Sequence, residues 1–185
     1  DAVNAAGGIN GRKIVYTALD DGFDVKRAVE NTRKLLAEDN AFIIYNNTGT
    51  AHTAAILPLV EESRTVVFGP VTGASNFRDK LNPYLFHVRA SYANEARRIV
   101  SQLKQTGITR VAVFYQDDPF GKALLAELKN ASAAEAVPFV AEIHVDPKQP
   151  DFAAAAKATE KAQPQAVILG TGGTTFTSYV REVLK

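Results

Sequence analysis

Apolar segments of two kinds alternate along this chain. Short runs, such as residues 42–45, 65–69 and 110–115, are almost continuously apolar, which is typical of strands covered on both faces of a parallel sheet. Longer segments between them carry apolar residues at helical spacing, with charged residues on the opposite face. This alternation predicts an α/β fold with mainly parallel strands joined by right-handed crossovers.

A second series of alternating strands and helices begins near residue 91. Strands are predicted at residues 13–19, 42–45, 65–69, 84–88, 110–115, 139–145 and 165–169. Helices are predicted after Asp24, over 53–62, after Ser91 or Asn94, over 121–136, after Asp151 and over 174–184. We therefore predict two doubly wound parallel-sheet lobes, residues 1–89 and 90–185. The segment 89–92 between them is either a plain linker or a hinge whose Arg89 and Tyr92 border a cleft.

Composition narrows the class of protein. The chain is 46% hydrophobic and 22% charged, which is ordinary globular usage. Its net charge is +1, with the two signs interspersed and no basic stripe, so no nucleic-acid partner is expected. The absence of Cys excludes a disulfide scaffold and thiolate metal sites. No apolar run approaches the length of a membrane span.

Polar, glycine-containing loops follow several of the predicted strands, where open parallel sheets bind ligands. They lie at residues 46–50, 69–75, 116–121 and 170–174. In the first loop, Gly49 allows close backbone approach, and Thr50 and Thr53 bring hydroxyls to the start of a helix whose positive end suits a carboxylate. The alternative is that Thr50 or Thr53 only caps the helix and Gly49 only turns the chain. For one loop alone this alternative is favoured, since most such loops carry no function, but two loops rich in Gly and Thr in one lobe weaken it.

Enzyme motifs are not found. Residues 170–175 read GTGGTT and lack the last glycine of a dinucleotide fingerprint, and no P-loop or nucleophile elbow occurs. The three histidines lie far apart, although His52 could face the cleft. Asp20-Asp21 and Asp117-Asp118 are interpreted as turn and cap residues rather than as a metal or phospho-acceptor site. We predict a protein that is not an enzyme and has no cofactor and no metal.

Several segments together carry a family resemblance. NAAGGINGRKI (4–14), the Asp20-Asp21 turn, GTAHTAAILP, GPVTGAS, VRASY and VFYQDDPFG occur in this order and at these intervals. The set resembles the periplasmic binding proteins of the leucine/isoleucine/valine-binding type, the solute receptors of ABC importers. The resemblance covers essentially the whole chain. It implies two α/β lobes around a cleft that closes on a small ligand.

The resemblance also implies which residues contact the ligand. In that family a Ser or Thr after the third strand holds the ligand carboxylate, together with backbone and side-chain groups after the fourth strand. An aromatic residue in the second lobe covers the ligand, whereas the later glycine loop here lacks the large aromatic of some members and leaves room for a bulkier ligand. The positions that match are Gly49, Thr50, Val71, Thr72, Gly73, Phe120 and Gly172.

The function implied is that of a periplasmic receptor for an amino acid or aromatic acid, with an ABC permease in the membrane as partner. The alternative is the ligand-sensing domain of a transcription regulator or receptor. Members of this family have a strand and a ligand-contacting loop before the segment that matches residues 4–14. Because that strand is missing and the chain stops at Lys185, we expect a piece of a longer protein, truncated at both ends.

Overall fold

Two parallel three-stranded sheets form the framework of the computed structural model, which describes residues 2–185. The first sheet has the order β1-β2-β3 and the second the order β5-β4-β6, and every ladder is parallel. The strands are β1 (Ile43–Tyr45), β2 (Val66–Phe68), β3 (Leu85–Phe86), β4 (Val111–Gln116), β5 (Phe139–Val145) and β6 (Ala166–Gly170). The predicted α/β class with parallel strands is confirmed.

Helices connect the strands, and most begin at a side-chain cap. They are α1 (Ala2–Ala5), α2 (Val25–Ala37), α3 (Thr50–Glu62), α4 (Tyr92–Gln105), α5 (Pro119–Glu135), α6 (Phe152–Ala162) and α7 (Gly173–Val183), with a 3-10 turn at Ser75–Phe77. Asp24, Ser91, Asp118 and Asp151 each accept a backbone N–H from the first turn of the helix that follows. No helix within residues 2–185 is both long and apolar enough to cross a bilayer.

The strand predicted at residues 13–19 is wrong. Val15 and Tyr16 are 87% and 73% exposed, and this segment joins neither sheet. The backbone N–H and carbonyl of Ile14 instead bond the side-chain amide of Asn4, at 2.8 and 2.7 Å. A β-prone sequence forms a strand only where a neighbouring strand supplies hydrogen-bond partners, and no described strand lies beside this one.

The second sheet is covered on both faces. Successive residues of a strand point to opposite faces, so Val113 and Phe114 of β4 belong to different clusters. Val113 joins the large cluster that also contains Val67 of the first sheet. Phe114 lies in a smaller cluster, where its ring stacks on that of Tyr179 at a centroid distance of 3.6 Å. This two-sided burial explains why β4 is apolar without alternation.

The first sheet is covered on one face only. Ile44, Val67 and Leu85 are buried. Tyr45, Phe68 and Phe86 lie in register on three adjacent strands and are 59%, 41% and 50% exposed. The apolar runs in these strands predicted burial on both faces, and within residues 2–185 only one face is covered.

His87, directly after β3, makes the stability of the fold sensitive to acid. Its Nε2 lies 3.1 Å from the Phe77 carbonyl, and its buried Nδ1 has no partner within residues 2–185. Burial lowers the pKa of His87 below 6.5, and the neighbouring Arg78 charge lowers it further. Because the folded protein favours neutral His87, this residue's contribution to stability is complete above the unfolded pKa of 6.5 and is lost as the pH falls below it.

We expect the thermal midpoint to fall between about pH 7.5 and about pH 5.5, and to fall less in a His87→Gln variant. Thermal unfolding across this range measures the difference. His144→Gln is the matched control, since His144 is an exposed residue of β5. Equal acid sensitivity of His87→Gln and the unmodified protein would contradict the assignment.

Candidate functional site

Three hydroxyl groups meet where the two sheets approach each other. Thr50 is the first residue of α3, Thr72 follows β2, and Tyr92 is the first residue of α4. Thr50 Oγ1 lies 2.9 Å from Thr72 Oγ1 and 3.4 Å from the Tyr92 hydroxyl. All three residues are buried. The three hydroxyls carry three protons and share two mutual hydrogen bonds, so one proton remains for an outside acceptor.

The loops after β1 and β2 are joined by backbone hydrogen bonds. Val71 donates its N–H to the Asn47 carbonyl at 2.7 Å and accepts from the Gly49 N–H at 3.2 Å. Thr48 and Val71 thereby extend the parallel pairing beyond the strands. Both backbone groups of Val71 are engaged, so the polar groups that this loop offers a ligand come from its neighbours, Thr72 above all.

Gly73 packs against Tyr92. Its carbonyl accepts the Tyr92 N–H at 2.7 Å, and a Cβ on Gly73 would lie 2.5 Å from Tyr92 Cδ1. Any larger residue at position 73 would push Tyr92 away from Thr50. The Gly73 N–H has no acceptor among the described residues.

The N-terminus of α3 has no side-chain cap. Gly49 occupies the N-cap position with φ 111°, a conformation that favours glycine. Thr53 does not cap the helix, because its hydroxyl bonds the Asn47 side chain and the Gly49 carbonyl at 2.9 and 2.8 Å. The N–H groups of Thr50, Ala51 and His52 have no acceptor within residues 2–185. Neither Thr50 nor Thr53 therefore caps α3. The positive end of this helix is available to an anion.

Phe120, which follows β4 of the second sheet, contacts the cluster of three hydroxyl residues through Tyr92. It stands at the start of α5, half-buried, with its ring edge-on to Tyr92 at a centroid distance of 5.7 Å. Asp118 caps α5 by accepting the Gly121 N–H at 2.8 Å. Gly121 lies so close to β4 that a Cβ there would be 2.0 Å from the Gln116 carbonyl oxygen. These contacts fix the position of Phe120.

Gln116 ties two loops of the second sheet together. Its Oε1 accepts hydrogen bonds from the Thr171 hydroxyl at 2.8 Å and the Gly172 N–H at 2.9 Å. Its Nε2 donates to Asp118 at 3.3 Å. Contacts join the predicted site residues Gly49, Thr50, Val71, Thr72, Gly73 and Phe120 into one group through Tyr92. Gly172 bonds Gln116, and no hydrogen bond within residues 2–185 connects it to that group.

Two arginines lie behind Tyr92. The Arg89 guanidinium sits 5.3 Å from the centre of the Tyr92 ring and forms an ion pair with Glu95. Arg78 donates to the carbonyls of Arg89 and Thr72 at 3.0 and 3.4 Å. Burial and the Arg89 charge lower the pKa of Arg78, yet a guanidinium stays protonated. These two guanidiniums face the carboxylate of Glu95, and Glu127 adds a second carboxylate at the groove beside Thr50, so the charges around the site nearly balance.

An open groove of about 680 Å³ borders the hydroxyl cluster. It runs between α3, the 3-10 turn and α5, with Thr50 at its edge and alanines along both helices. Ser75 and Glu127, joined by a hydrogen bond of 2.5 Å, contribute polar groups to its wall. A groove of this volume is large enough for a small organic ligand.

The acidic pairs are turn and cap residues, as predicted. Asp20 and Asp21 accept the N–H groups of residues 22 and 23, and Asp118 caps α5. Asp117 pairs with Lys122 at 2.7 Å, and this hydrogen bond lowers its pKa. The described part of the chain contains no group of three or more potential metal ligands.

Tyr92 is the residue that sequence reasoning left out of the site. The only signal in the sequence was its place between the two predicted lobes, where Arg89 and Tyr92 could border a cleft. His52, which the sequence suggested could face the cleft, is buried. It is 3% exposed, in the first turn of α3, and neither ring nitrogen has a partner within residues 2–185.

Comparison with known proteins gives one family match. The sequence model of the family described as periplasmic binding protein matches residues 1–184. A search of curated protein sequences found no significant match.

Solved structures of similar fold agree with this match. A substrate-binding periplasmic protein from Ralstonia solanacearum is 29% identical, with a TM-score of 0.90 over 98% of this chain and 52% of its own. A possible leucine/isoleucine/valine-binding protein from Rhodopirellula baltica is 24% identical, with a TM-score of 0.84 over 97% of this chain and 50% of its own. A solute-binding protein of an ABC transporter from Rhodopseudomonas palustris, in complex with 3,4-dihydroxybenzoic acid, is 22% identical, with a TM-score of 0.85 over 98% and 50%. The chain spans about half the length of each.

Proposed function

Because this chain belongs to the periplasmic binding protein family, we propose that the protein is a non-enzymatic receptor of an ABC importer that binds a small carboxylate-bearing solute in the periplasm. The binding site lies between two lobes, residues 1–89 and 90–185. The closed, ligand-bound form is recognised by the permease in the membrane.

The observation that carries the proposal is the convergence of unused donors beside Thr50. One hydroxyl proton of the Thr50, Thr72 and Tyr92 cluster and the free N–H groups of the α3 N-terminus lie at one place. A carboxylate has two oxygens that accept several hydrogen bonds and carries the charge that a helix N-terminus stabilises. This donor set therefore suits a carboxylate better than a neutral group.

The ligand is an amino acid or an aromatic acid. The Rhodopseudomonas palustris protein is a complex with 3,4-dihydroxybenzoic acid, and the Rhodopirellula baltica protein is named as a possible leucine/isoleucine/valine-binding protein. In this chain the half-buried ring of Phe120 and the alanine-lined groove offer apolar surface near the donors. Both ligand classes combine a carboxylate with an apolar body, which matches that arrangement.

Closure follows from ligand contacts to both lobes. Thr50 and Thr72 belong to the first lobe and Phe120 to the second, with Tyr92 joining them. A ligand that contacts both sides stabilises the closed arrangement by its differential affinity for that state.

Isothermal titration with leucine and with 3,4-dihydroxybenzoate tests the proposal. We expect one of them to bind, and Thr50→Ala to weaken it by about 1–3 kcal/mol, or about 5- to 150-fold, because a hydrogen bond to a charged group is lost. Thr50→Ser is the matched control, since it keeps the hydroxyl and should retain most of the affinity. The corresponding neutral amides should bind far more weakly. Equal affinity of the Ala and Ser variants would remove Thr50 from the site.

A further inference from the structure

Glu127 of α5 carries a charge into the groove beside Thr50. Among the described residues that line this groove it is the only one with an ionisable side chain. The rest of the wall consists of alanines, Phe77, Pro119 and a few uncharged polar side chains. A carboxylate in a wall of this kind has few groups around it to replace the water that a bound ligand would displace.

The carboxylate of Glu127 is held in place but has no counter-charge. The Ser75 hydroxyl donates to its Oε1 at 2.5 Å. Glu127 forms no ion pair with a Lys, Arg or His within residues 2–185, whereas the other half-buried glutamates, Glu95, Glu135 and Glu182, each pair with an Arg or a Lys. The fold therefore fixes the position of this anion and leaves it free to pair with a cation in the groove.

Glu127 lies within reach of a ligand whose carboxylate contacts the Thr50–Thr72 pair. The Oγ1 atoms of Thr50 and Thr72 are 2.9 Å apart. Ser75, which bonds Glu127, follows Thr72 by three residues, so their Cα atoms lie at most about 11 Å apart. This bound is close to the length of a six-membered ring with a substituent at each end. One small molecule can therefore contact both groups.

We propose that Glu127 is a specificity-determining residue that pairs with a cationic group of the ligand, at the opposite end from the carboxylate. The proposal rests on the proposed function and deepens it by naming the substrate class, an acid with a remote ammonium or guanidinium group. An ammonium donates charge-assisted hydrogen bonds to a carboxylate, and these strengthen where apolar walls exclude water. An acid without a cation would displace water from Glu127 and leave it unpaired.

Two benzoates of nearly the same shape test the proposal by isothermal titration of the full chain. In 4-(aminomethyl)benzoate an ammonium stands where 4-ethylbenzoate has a methyl group. We expect the unmodified protein to bind the aminomethyl compound about tenfold more tightly, because it gains a hydrogen bond between charged groups. Glu127→Gln keeps the size of the side chain and an acceptor for Ser75, and should abolish this preference. Glu135→Gln, also in α5, is the matched control and should retain it.

A second variant separates the charge from its orientation. Ser75→Ala keeps the Glu127 carboxylate but removes the hydrogen bond that holds it, so the preference should fall only in part. Equal affinity of the unmodified protein for the two probes, or a preference that survives in Glu127→Gln, would overturn the role of Glu127 and leave the Thr50 site in place. Binding of neither probe would overturn it too, and the proposed function would fall as well only if leucine and 3,4-dihydroxybenzoate also failed to bind.

Discussion

Alanine in place of Tyr92 is expected to lower the free energy of unfolding by about 3–5 kcal/mol, the usual cost of truncating a buried aromatic ring. Tyr92 is 3% exposed and belongs to the hydrophobic cluster that contains residues of both sheets. Its ring contacts Phe120, and its N–H bonds the Gly73 carbonyl. The cavity would therefore open beside Thr50, and we expect ligand binding to be lost as well. Chemical denaturation and ligand titration measure the two effects.

Tyr92→Phe is the matched control for this prediction. It keeps the ring and removes only the hydroxyl that lies 3.4 Å from Thr50 Oγ1. We expect a stability loss of about 1 kcal/mol and little loss of ligand affinity, because Thr50 and Thr72 still carry two protons, share one hydrogen bond and keep one proton for the ligand. If Tyr92→Phe lost ligand binding as completely as Tyr92→Ala, the Tyr92 hydroxyl itself, and not the Thr50–Thr72 pair, would hold the carboxylate.

Alanine in place of Tyr179 is expected to cost a similar amount, about 3–5 kcal/mol, without a specific effect on the site. The Tyr179 ring stacks on Phe114 at 3.6 Å, and its hydroxyl lies 2.6 Å from Thr159 Oγ1. Burial raises the pKa of Tyr179, so its hydroxyl stays protonated. The stacked pair lies in the smaller cluster, on the other side of the second sheet from Tyr92.

Tyr179→Phe separates packing from hydrogen bonding in this cluster. Thr159 keeps its bond to the Ala155 carbonyl at 3.0 Å, so we expect a loss of about 1 kcal/mol. Urea denaturation gives both values, and ligand affinity should be unchanged in Tyr179→Phe. A loss below about 1 kcal/mol in Tyr179→Ala would show that the ring stack contributes little to stability.

The two tyrosines differ in what they connect. Tyr179 packs the second sheet against its own helices. Tyr92 begins α4, the helix that leads into the second sheet, yet it lies against Thr50 and Gly73 from the loops of the first. A change at Tyr92 therefore alters both stability and the site, whereas a change at Tyr179 alters stability alone. Tyr92→Ala and Tyr179→Ala are expected to lose similar stability. A larger loss of ligand affinity in Tyr92→Ala would therefore report the contacts that Tyr92 makes at the site.

Much of the fold could be predicted because it depends on local patterns. The continuous apolar run of β4 and the capping residues Asp24 and Asp151 are signals within a few neighbouring residues. Polar loops after parallel strands also gather at one edge of a sheet by topology alone. These reasons placed the loops with Thr50 and Thr72 at one edge of the first sheet, whereas only the family resemblance implied that Phe120 lies near them.

The rest depended on contacts that no local pattern contains. Residues 13–19 have a strand-like sequence, but a strand exists only where another strand pairs with it, and none within residues 2–185 does so. Gly49 was interpreted as a residue that admits a ligand, and the structure adds that the His52 imidazole occupies the space where its side chain would be. The contacts of Tyr92 were not predicted either, because they involve Gly73, Phe120 and Thr50, the last of which is 42 positions away.

By itself, the sequence determined the α/β class, the parallel strands, most helix boundaries and the loops that carry the site. These features follow from hydrophobic periodicity and from backbone capping, which act over a few residues. Only the tertiary structure decided which hydroxyls share protons, which N–H groups stay free and which histidine lacks a partner. Hydrogen bonds form or fail within a few tenths of an ångström, and such distances between remote residues are set by the packing of the whole chain.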